Sequence, residues 1–318
     1  MTTISRRQVL VAGVAAAAMA NTANAAEFIT VLTGGTSGVY YPLGVALSQI
    51  YAKAIPDAKS SVQATKASAE NLNLLQAGRG EIAFTLGDAL SDAYKGNEEA
   101  GFKTPLKKLR GIAGIYANYI QIVASADSGI KSLADMKGKR IAVGAPKSGT
   151  EINARAILRG AGMSYKDLGK VEYLPFGESV ELMKNRQLDA TLISAGLGVS
   201  AIRDLATAVK IVLVPVPQDV IAKIGDPAYI AATIPANTYE GQSQAAPTAA
   251  IKNFLVTHEG VSTDTVYKMT KAMYDHLDQL VAAHSAAKAI KREDGPKDMP
   301  VPLHPGAEKY YREVGLVK

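Results

Sequence analysis

The sequence predicts an α/β fold built as two similar open-sheet lobes, and three observations carry that prediction. A β-rich run feeds a Gly/Ser/Thr turn that opens an amphipathic helix, first in "VLTGGTSGVYYPLG" (31–44) and again in "KRIAVGAPKSGTEINARAILRGAG" (139–162). Downstream of each turn, "AENLNLLQAGRGEIAFTLG" and "GESVELMKNRQLDATLISAG" share an acidic residue, a Leu-rich helix and a strand. Glu70 stands to Glu178 as Glu81 stands to Asp189, a constant offset of 108 that marks a degenerate internal repeat. The 318 residues are 47% hydrophobic with no long polar tract, enough to bury a core divided between two lobes of ordinary size.

The chain opens with "SRRQVLVAGVAAAAMANTANA", a basic start, an apolar run from Val9 to Ala20 and a small-residue exit at Ala23 and Ala25. Residues 1–25 are therefore expected to be an export signal cleaved after Ala25, with Arg6-Arg7 fitting either the twin-arginine or the general secretory route. Past it, no stretch has the roughly 20 apolar residues of a membrane span, so no stable membrane insertion is expected. Loss of Arg6 and Arg7 lowers the net charge from +6 to +4. The densest basic groups, Lys103 to Arg110 and Lys288 to Arg292, read as solvated faces, and no nucleic-acid partner is expected. Zero cysteines exclude disulfides, thiolate nucleophiles and thiolate metal sites.

Phe28 to Leu32 is the first strand. Tyr40, Leu43, Leu47, Ile50 and Ala54 then follow a helical 3-4-3-4 spacing, with Pro42 in the first turn where a missing N–H costs nothing. A helix N-terminus behind a glycine turn offers unpaired N–H groups and the positive end of the helix dipole, which suits an anion. The plain alternative is a well-capped helix start, since Gly, Ser and Thr also serve there. The second copy runs from a strand at Lys139 to Gly144 into a helix carrying Ile152, Ala156 and Ala161. Two open sheets with ligands beyond their strand ends would set two such helix starts on opposite walls of one cleft.

The candidate ligand-binding residues are accordingly Thr36, Ser37, Gly38 and Tyr40 from the first turn and Lys147, Ser148, Gly149 and Thr150 from the second, with Ser68 and Asp88 from the segments that follow the first. Tyr40 is expected to supply a ring wall with a polar tip, Asp88 to orient a donor on the ligand, and Lys147 to add charge at the rim. Catalysis finds little support: His258, His276, His284 and His304 all fall in the last quarter of the chain, none near Ser37 or Ser148 in sequence. No metal is expected from "DHLD" at 275–278, and His304 is expected to cap or pack the last helix. The turns lack the Lys-Ser/Thr ending of a P-loop and the G-x-G-x-x-G spacing, so no cofactor is expected.

The segments "TGGTSGVYYPLG", "ASAENLNLLQAGRGEIAFTLGD", "SLADMKGKRIAVGAPKSGTEINARAIL", "IPANTYEGQ" and "HPGAEKYYREVGL" span essentially the whole mature chain. In them the sequence resembles the TAXI solute-binding proteins of TRAP (tripartite ATP-independent periplasmic) transporters. The resemblance implies a two-lobed periplasmic binding protein fold of type II-like architecture, with lobe one at 26–123 plus 236–318 and lobe two at 124–235. It also implies a periplasmic receptor that closes over a small organic anion, such as a dicarboxylate, glutamate or a related carboxylate, and hands it to TRAP-type permease subunits. A sensor partner of a membrane receptor and a periplasmic enzyme on the same scaffold are the other readings. Two departures bear on the ligand. Where family members commonly show Gln-Ser-Asp, this chain has Leu86-Gly87-Asp88, and where "YPE" is common it has "YAN", with Asn118 in place of a carboxylate. The lost carboxylate favours an organic acid over an amino acid, unless Asn118 and Leu86 never touch ligand.

Overall fold

The computed structural model describes residues 27–318; the expected export signal lies outside the described residues. Strand β1 (Glu27–Leu32) leads through the first glycine turn into helix α1 (Tyr40–Ala54), followed by β2 (Ala58–Gln63), α2 (Ser68–Gln76), β3 (Ile82–Leu86) and α3 (Gly87–Lys95). The apolar stripe of α1 buries Tyr40, Leu43, Leu47 and Ile50, but Ala54 is exposed and the last turn buries Tyr51 and Ile55 instead. The stripe drifts because the helical repeat is 3.6 residues, and the large Tyr51 and Ile55 gain more from burial than an alanine does. Gly44 lets α1 lie against β1: a Cβ there would stand far inside van der Waals contact of the Thr33 methyl.

Two long strands organise the molecule. β4 (Leu109–Ser125) pairs antiparallel with β10 (Ala246–His258) over residues 109–119 and with β7 (Ala190–Ala195) over residues 119–124. β10 in turn pairs with β9 (Ile230–Ile234) through Ala246–Ala250 and with β3 through Asn253–Val256. Each strand thus belongs to both halves of the sheet. The order is β2-β1-β3-β10-β4-β7-β5-β6, where β5 is Arg140–Ala142 and β6 is Lys170–Glu172, and β8 (Ile211–Val214) joins β4. Helices α4 (Gly149–Gly160), α5 (Phe176–Lys184), α6 (Ser200–Ala208) and α7 (Gln218–Ile224) serve the second half. The chain then returns through α8 (Thr263–Asp275) and α9 (Leu277–Ala283) to end in α10 (Pro305–Glu313). The core divides between the two faces of this curled sheet.

The internal repeat is visible in the hydrogen bonds. Glu81 donates its N–H to Thr30 O (3.2 Å) and accepts the Thr30 N–H on its carboxylate (2.6 Å); Asp189 does the same with Arg140, at 2.9 and 2.7 Å. Each acid locks the start of its strand, β3 or β7, to the strand that feeds the glycine turn, which makes positions 30 and 140 equivalent. His304 caps α10, its Nδ1 accepting the Gly306 N–H at 3.1 Å while Nε2 lies 3.0 Å from Val261 O.

Candidate functional site

The starts of α1 and α4 meet across a cavity between the two halves, with about 120 Å³ open to the centres of water-sized groups. Its wall is built from equivalent positions. Carrying the 30-to-140 correspondence forward pairs Gly38 with Ser148, Val39 with Gly149 and Tyr40 with Thr150. The offset of 108 pairs Ala67 with Pro175, Ser68 with Phe176 and Leu86 with Ser194. All twelve of these residues line the cavity.

Ser148 shows how the sequence sets the second wall. It is the N-cap of α4, with extended backbone, and its Oγ accepts the Glu151 N–H at 3.1 Å. Such a cap stabilises a helix by about 1 kcal/mol and leaves the serine proton free to donate. The N–H groups of Gly149 and Thr150 have no partner within the helix, because the first turn has none to give. Opposite them, the Ser68 Oγ accepts the Leu86 N–H at 3.2 Å and keeps its own proton. A Cβ on Gly149 would sit 2.5 Å from that Oγ and 2.6 Å from Leu86 Cδ1, so Ser68 and the start of α4 are in direct apposition. Donors from both halves converge here.

The first wall is different. Val39, the N-cap of α1, makes no side-chain cap, and Tyr40 lays its ring on Phe84 with centroids 5.0 Å apart and planes 20° from parallel. Tyr40 is thus a ring wall, but its hydroxyl donates to Asn253 Oδ1 and is committed. The Asn253 amide donates to Tyr116 O (2.9 Å) and Asn118 Oδ1 (2.8 Å), and the Asn118 amide donates to Ser194 O (2.9 Å). This chain of amides ties β10, β4 and β7 together where the halves join. Leu86 and Asn118, the two departures noted in the sequence, both lie on the wall, Asn118 with one of its two amide N–H groups given to Ser194.

Six of the ten expected residues therefore line the cavity: Gly38, Tyr40, Ser68, Ser148, Gly149 and Thr150. Four do not. Thr36 is exposed on the turn. The Ser37 carbonyl accepts from Ser200 Oγ (2.8 Å) and Ala201 N (3.3 Å), joining the first turn to α6. Lys147 is exposed and left-handed, with φ of 62°, and its carbonyl accepts the Glu70 N–H at 3.1 Å. Asp88 sits behind the wall, 1% exposed. Its carboxylate accepts from Ala89 N (2.7 Å), Asn153 Nδ2 (2.7 Å) and the Tyr229 hydroxyl (2.8 Å). Burial pushes this carboxyl up to about 7, opposed by the bonds from Tyr229 and Ala89. It joins α3 to α4 and the approach to β9, and so clasps the halves rather than facing the cavity.

Residues absent from the sequence reading include Thr65, Lys66, Tyr116, Phe176 and Ser194. The repeat held the signal for two of them: Phe176 and Ser194 stand at the offset of 108 from Ser68 and Leu86. Lys66 and Tyr116 have no such mark. Ala67, also on the wall, takes φ of 70° and ψ of −151°, a conformation that costs a non-glycine residue about 1–3 kcal/mol.

Among the described residues, no helix is long and apolar enough to cross a membrane. The fold is that of the two-lobed periplasmic solute-binding proteins. It is similar to PhnD1 from Prochlorococcus marinus, solved in complex with methylphosphonate (TM-score 0.59, 10% identity, covering 92% of this chain and 99% of that one). It is also similar to a putative L-cystine ABC transporter protein from Listeria monocytogenes (TM-score 0.50, 15% identity, 85% and 98% covered). A third similar structure is a binding protein component of an ABC phosphonate transporter from Pseudomonas aeruginosa (TM-score 0.50, 12% identity, 83% and 80% covered). The NMT1-like family model matches residues 31–315, and the chain belongs to that family.

Proposed function

We propose that this protein is a periplasmic receptor that closes over a small organic anion between its two lobes and delivers it to a membrane transporter. The observation that carries the reading is the convergence of donors without a facing carboxylate. Ser68, Ser148 and Thr150, with their hydroxyls, and Gly149, whose N–H like that of Thr150 is free, all line the cavity, Ser68 directly apposed to Gly149, and Lys66 is the one charged side chain among the described lining residues. A carboxylate, sulfonate or phosphonate oxygen accepts from such a set, whereas an ammonium group finds no counter-charge. Lobe one is proposed to comprise 26–123 plus 236–318 and lobe two 124–235. The long strands β4 and β10, each of which pairs in both halves of the sheet, support two chain crossings between the lobes.

For the transporter, the resemblance of "TGGTSGVYYPLG" and "HPGAEKYYREVGL" to TAXI proteins supports a TRAP-type permease. An ABC permease is the second reading, favoured by the solved neighbours that belong to ABC systems. A gene for a multi-spanning permease beside this one, with or without an ATPase, separates the two. The capture itself is tested by a thermal-shift panel of carboxylates, sulfonates, phosphonates, amino acids and neutral sugars. A bound solute at 100 times its dissociation constant adds about 2.7 kcal/mol of stability, a shift of several degrees. Stabilisation by organic anions is expected; stabilisation by neutral sugars alone would overturn the reading.

A further inference from the structure

We infer that the solute is a singly charged anion with an apolar body, and that the Tyr116 hydroxyl donates to an uncharged oxygen acceptor on that body; the inference rests on the anion-capture reading above. Besides the donors of that reading, the wall includes Val39, the Tyr40 ring, Tyr116, Pro175 and Phe176. Lys66, the one cation among the described lining residues, offers a single counter-charge, and these groups add none for a second ionised centre, so a second charge buried among them without a partner is costly. The Tyr40 hydroxyl is given to Asn253, and the Asn118 amide gives one of its two N–H groups to Ser194, so neither offers a counter-charge to a second ionised group. Asp88, the one buried carboxylate beside the site among the described residues, sits behind the wall with both oxygens engaged, Oδ1 by Ala89 and Oδ2 by Asn153 and Tyr229.

Tyr116 is the exception. It is 2% exposed, it lines the cavity, and its hydroxyl has no hydrogen-bond partner in the protein. Its position is held independently of ligand: the Tyr116 carbonyl accepts the Asn253 amide, and the ring lies against Gly196, where a Cβ would come within 3.3 Å of it. A buried hydroxyl left unpaired is destabilising, so a ligand that presents an acceptor there gains affinity over one that does not. Size narrows the class further. One water needs roughly 10–15 Å³ of such space, so about 120 Å³ takes a molecule on the order of ten non-hydrogen atoms. Oxo or alkoxy acids with a short branched or straight chain fit this description; sulfonate and phosphonate monoanions share the head-group chemistry.

Calorimetry on the mature protein with matched probes tests the inference: 4-oxopentanoate against pentanoate, 2-oxo-4-methylpentanoate against 4-methylpentanoate, then pentanesulfonate, methylphosphonate, succinate and glutamate. At least one oxo acid is expected to bind about ten-fold more tightly than its parent acid. Tyr116→Phe is expected to erase that preference, leave the parent acid within about three-fold, and melt without ligand no lower than wild type. A preference for pentanesulfonate over the carboxylates supports the inference and assigns the head group. Tighter binding of succinate or glutamate than of every monoanion overturns it, as does an oxo preference that is missing or survives in Tyr116→Phe; in both cases anion capture stands. Failure of every anion to bind overturns the capture reading as well.

Discussion

The turn at 34–39 and the turn at 144–149 look alike in sequence and occupy equivalent places in the two halves, yet they do different work. The second is a capped helix start: Ser148 holds the Glu151 N–H, and Gly149 brings the free amides of α4 against Ser68 of the other half. The first has no side-chain cap, and proline at position 42 removes one of the N–H groups of its first turn. Its contributions are the Tyr40 ring and the Ser37 carbonyl, which meets α6 across the cleft. A shared backbone plan thus leaves the anion to one turn and the wall and latch to the other. Duplication places positions; the side chain at each position decides the chemistry.

The largest expected effect comes from giving the second turn a side chain like that of the first. Val39 and Gly149 are equivalent, and a Cβ at Gly149 would press on Ser68 and Leu86 of the opposite half, so Gly149→Val is expected to weaken anion binding about 100-fold by holding the lobes apart. Val39→Ala should act mainly on stability, at about 2 kcal/mol for a buried residue, and cost affinity far less than Gly149→Val because it only trims one apolar group from the wall. Thermal melts with and without ligand separate the two outcomes, and equal affinity losses would break the comparison.

Next in size is the pair of serines. Ser148→Ala removes a cap and a donor, and is expected to cost about ten- to a hundred-fold in affinity and about 1 kcal/mol of stability. Ser37→Ala leaves the carbonyl contact in place and should stay within about two-fold in calorimetry. A loss at Ser37 as large as that at Ser148 would restore a two-turn anion site.

Asp88 has no carboxylate counterpart in the other half, where Gly196 stands at the offset of 108. Its carboxyl is raised to about 7 by burial, with Asp226 and Asp92 adding to the rise. The protonated form is therefore the one the clasped structure prefers. The stability this group contributes is full below the ordinary value of 3.8 and is lost as pH rises through about 7. Denaturant midpoints should fall between pH 5 and pH 8 in wild type and fall less in Asp88→Ala; parallel profiles would contradict this.

The smallest effects belong to the acids that lock the strands. Arg140 bonds to Asp189 hold its carboxyl below 3.8, so that lock is present at neutral pH and weakens as pH falls through the lowered value. Asp189→Asn is expected to cost about 1 kcal/mol and Glu81→Gln less, because Glu81 has no arginine partner of this kind; chemical denaturation at pH 7 reads the difference.

Much of this was legible in the sequence. The β-turn-helix signature and the 108 offset gave the paired halves, since both rest on local periodicity and turn chemistry. Ser148, Gly149 and Thr150 were legible for the same reason. Asp88 and Lys147 were misplaced because an acid or a lysine near a turn says nothing about which side of the backbone it takes. Tyr116 stands in the "YAN" that marked Asn118 but falls within the apolar run from Gly111 to Ala117 and reads as core; only the crossing of β4 between the halves brings it to the cavity. Ala54 shows the same limit on a smaller scale, its burial decided by the size of its neighbours.

The central claim is that one anion is held by both halves at once, so that binding draws the lobes together around the start of α4. Solution scattering with and without a saturating anion from the thermal-shift panel tests it most directly. The radius of gyration of wild type is predicted to fall on saturation while that of Gly149→Val stays at its ligand-free value. An unchanged radius in wild type, or an equal contraction in both proteins, would contradict the account.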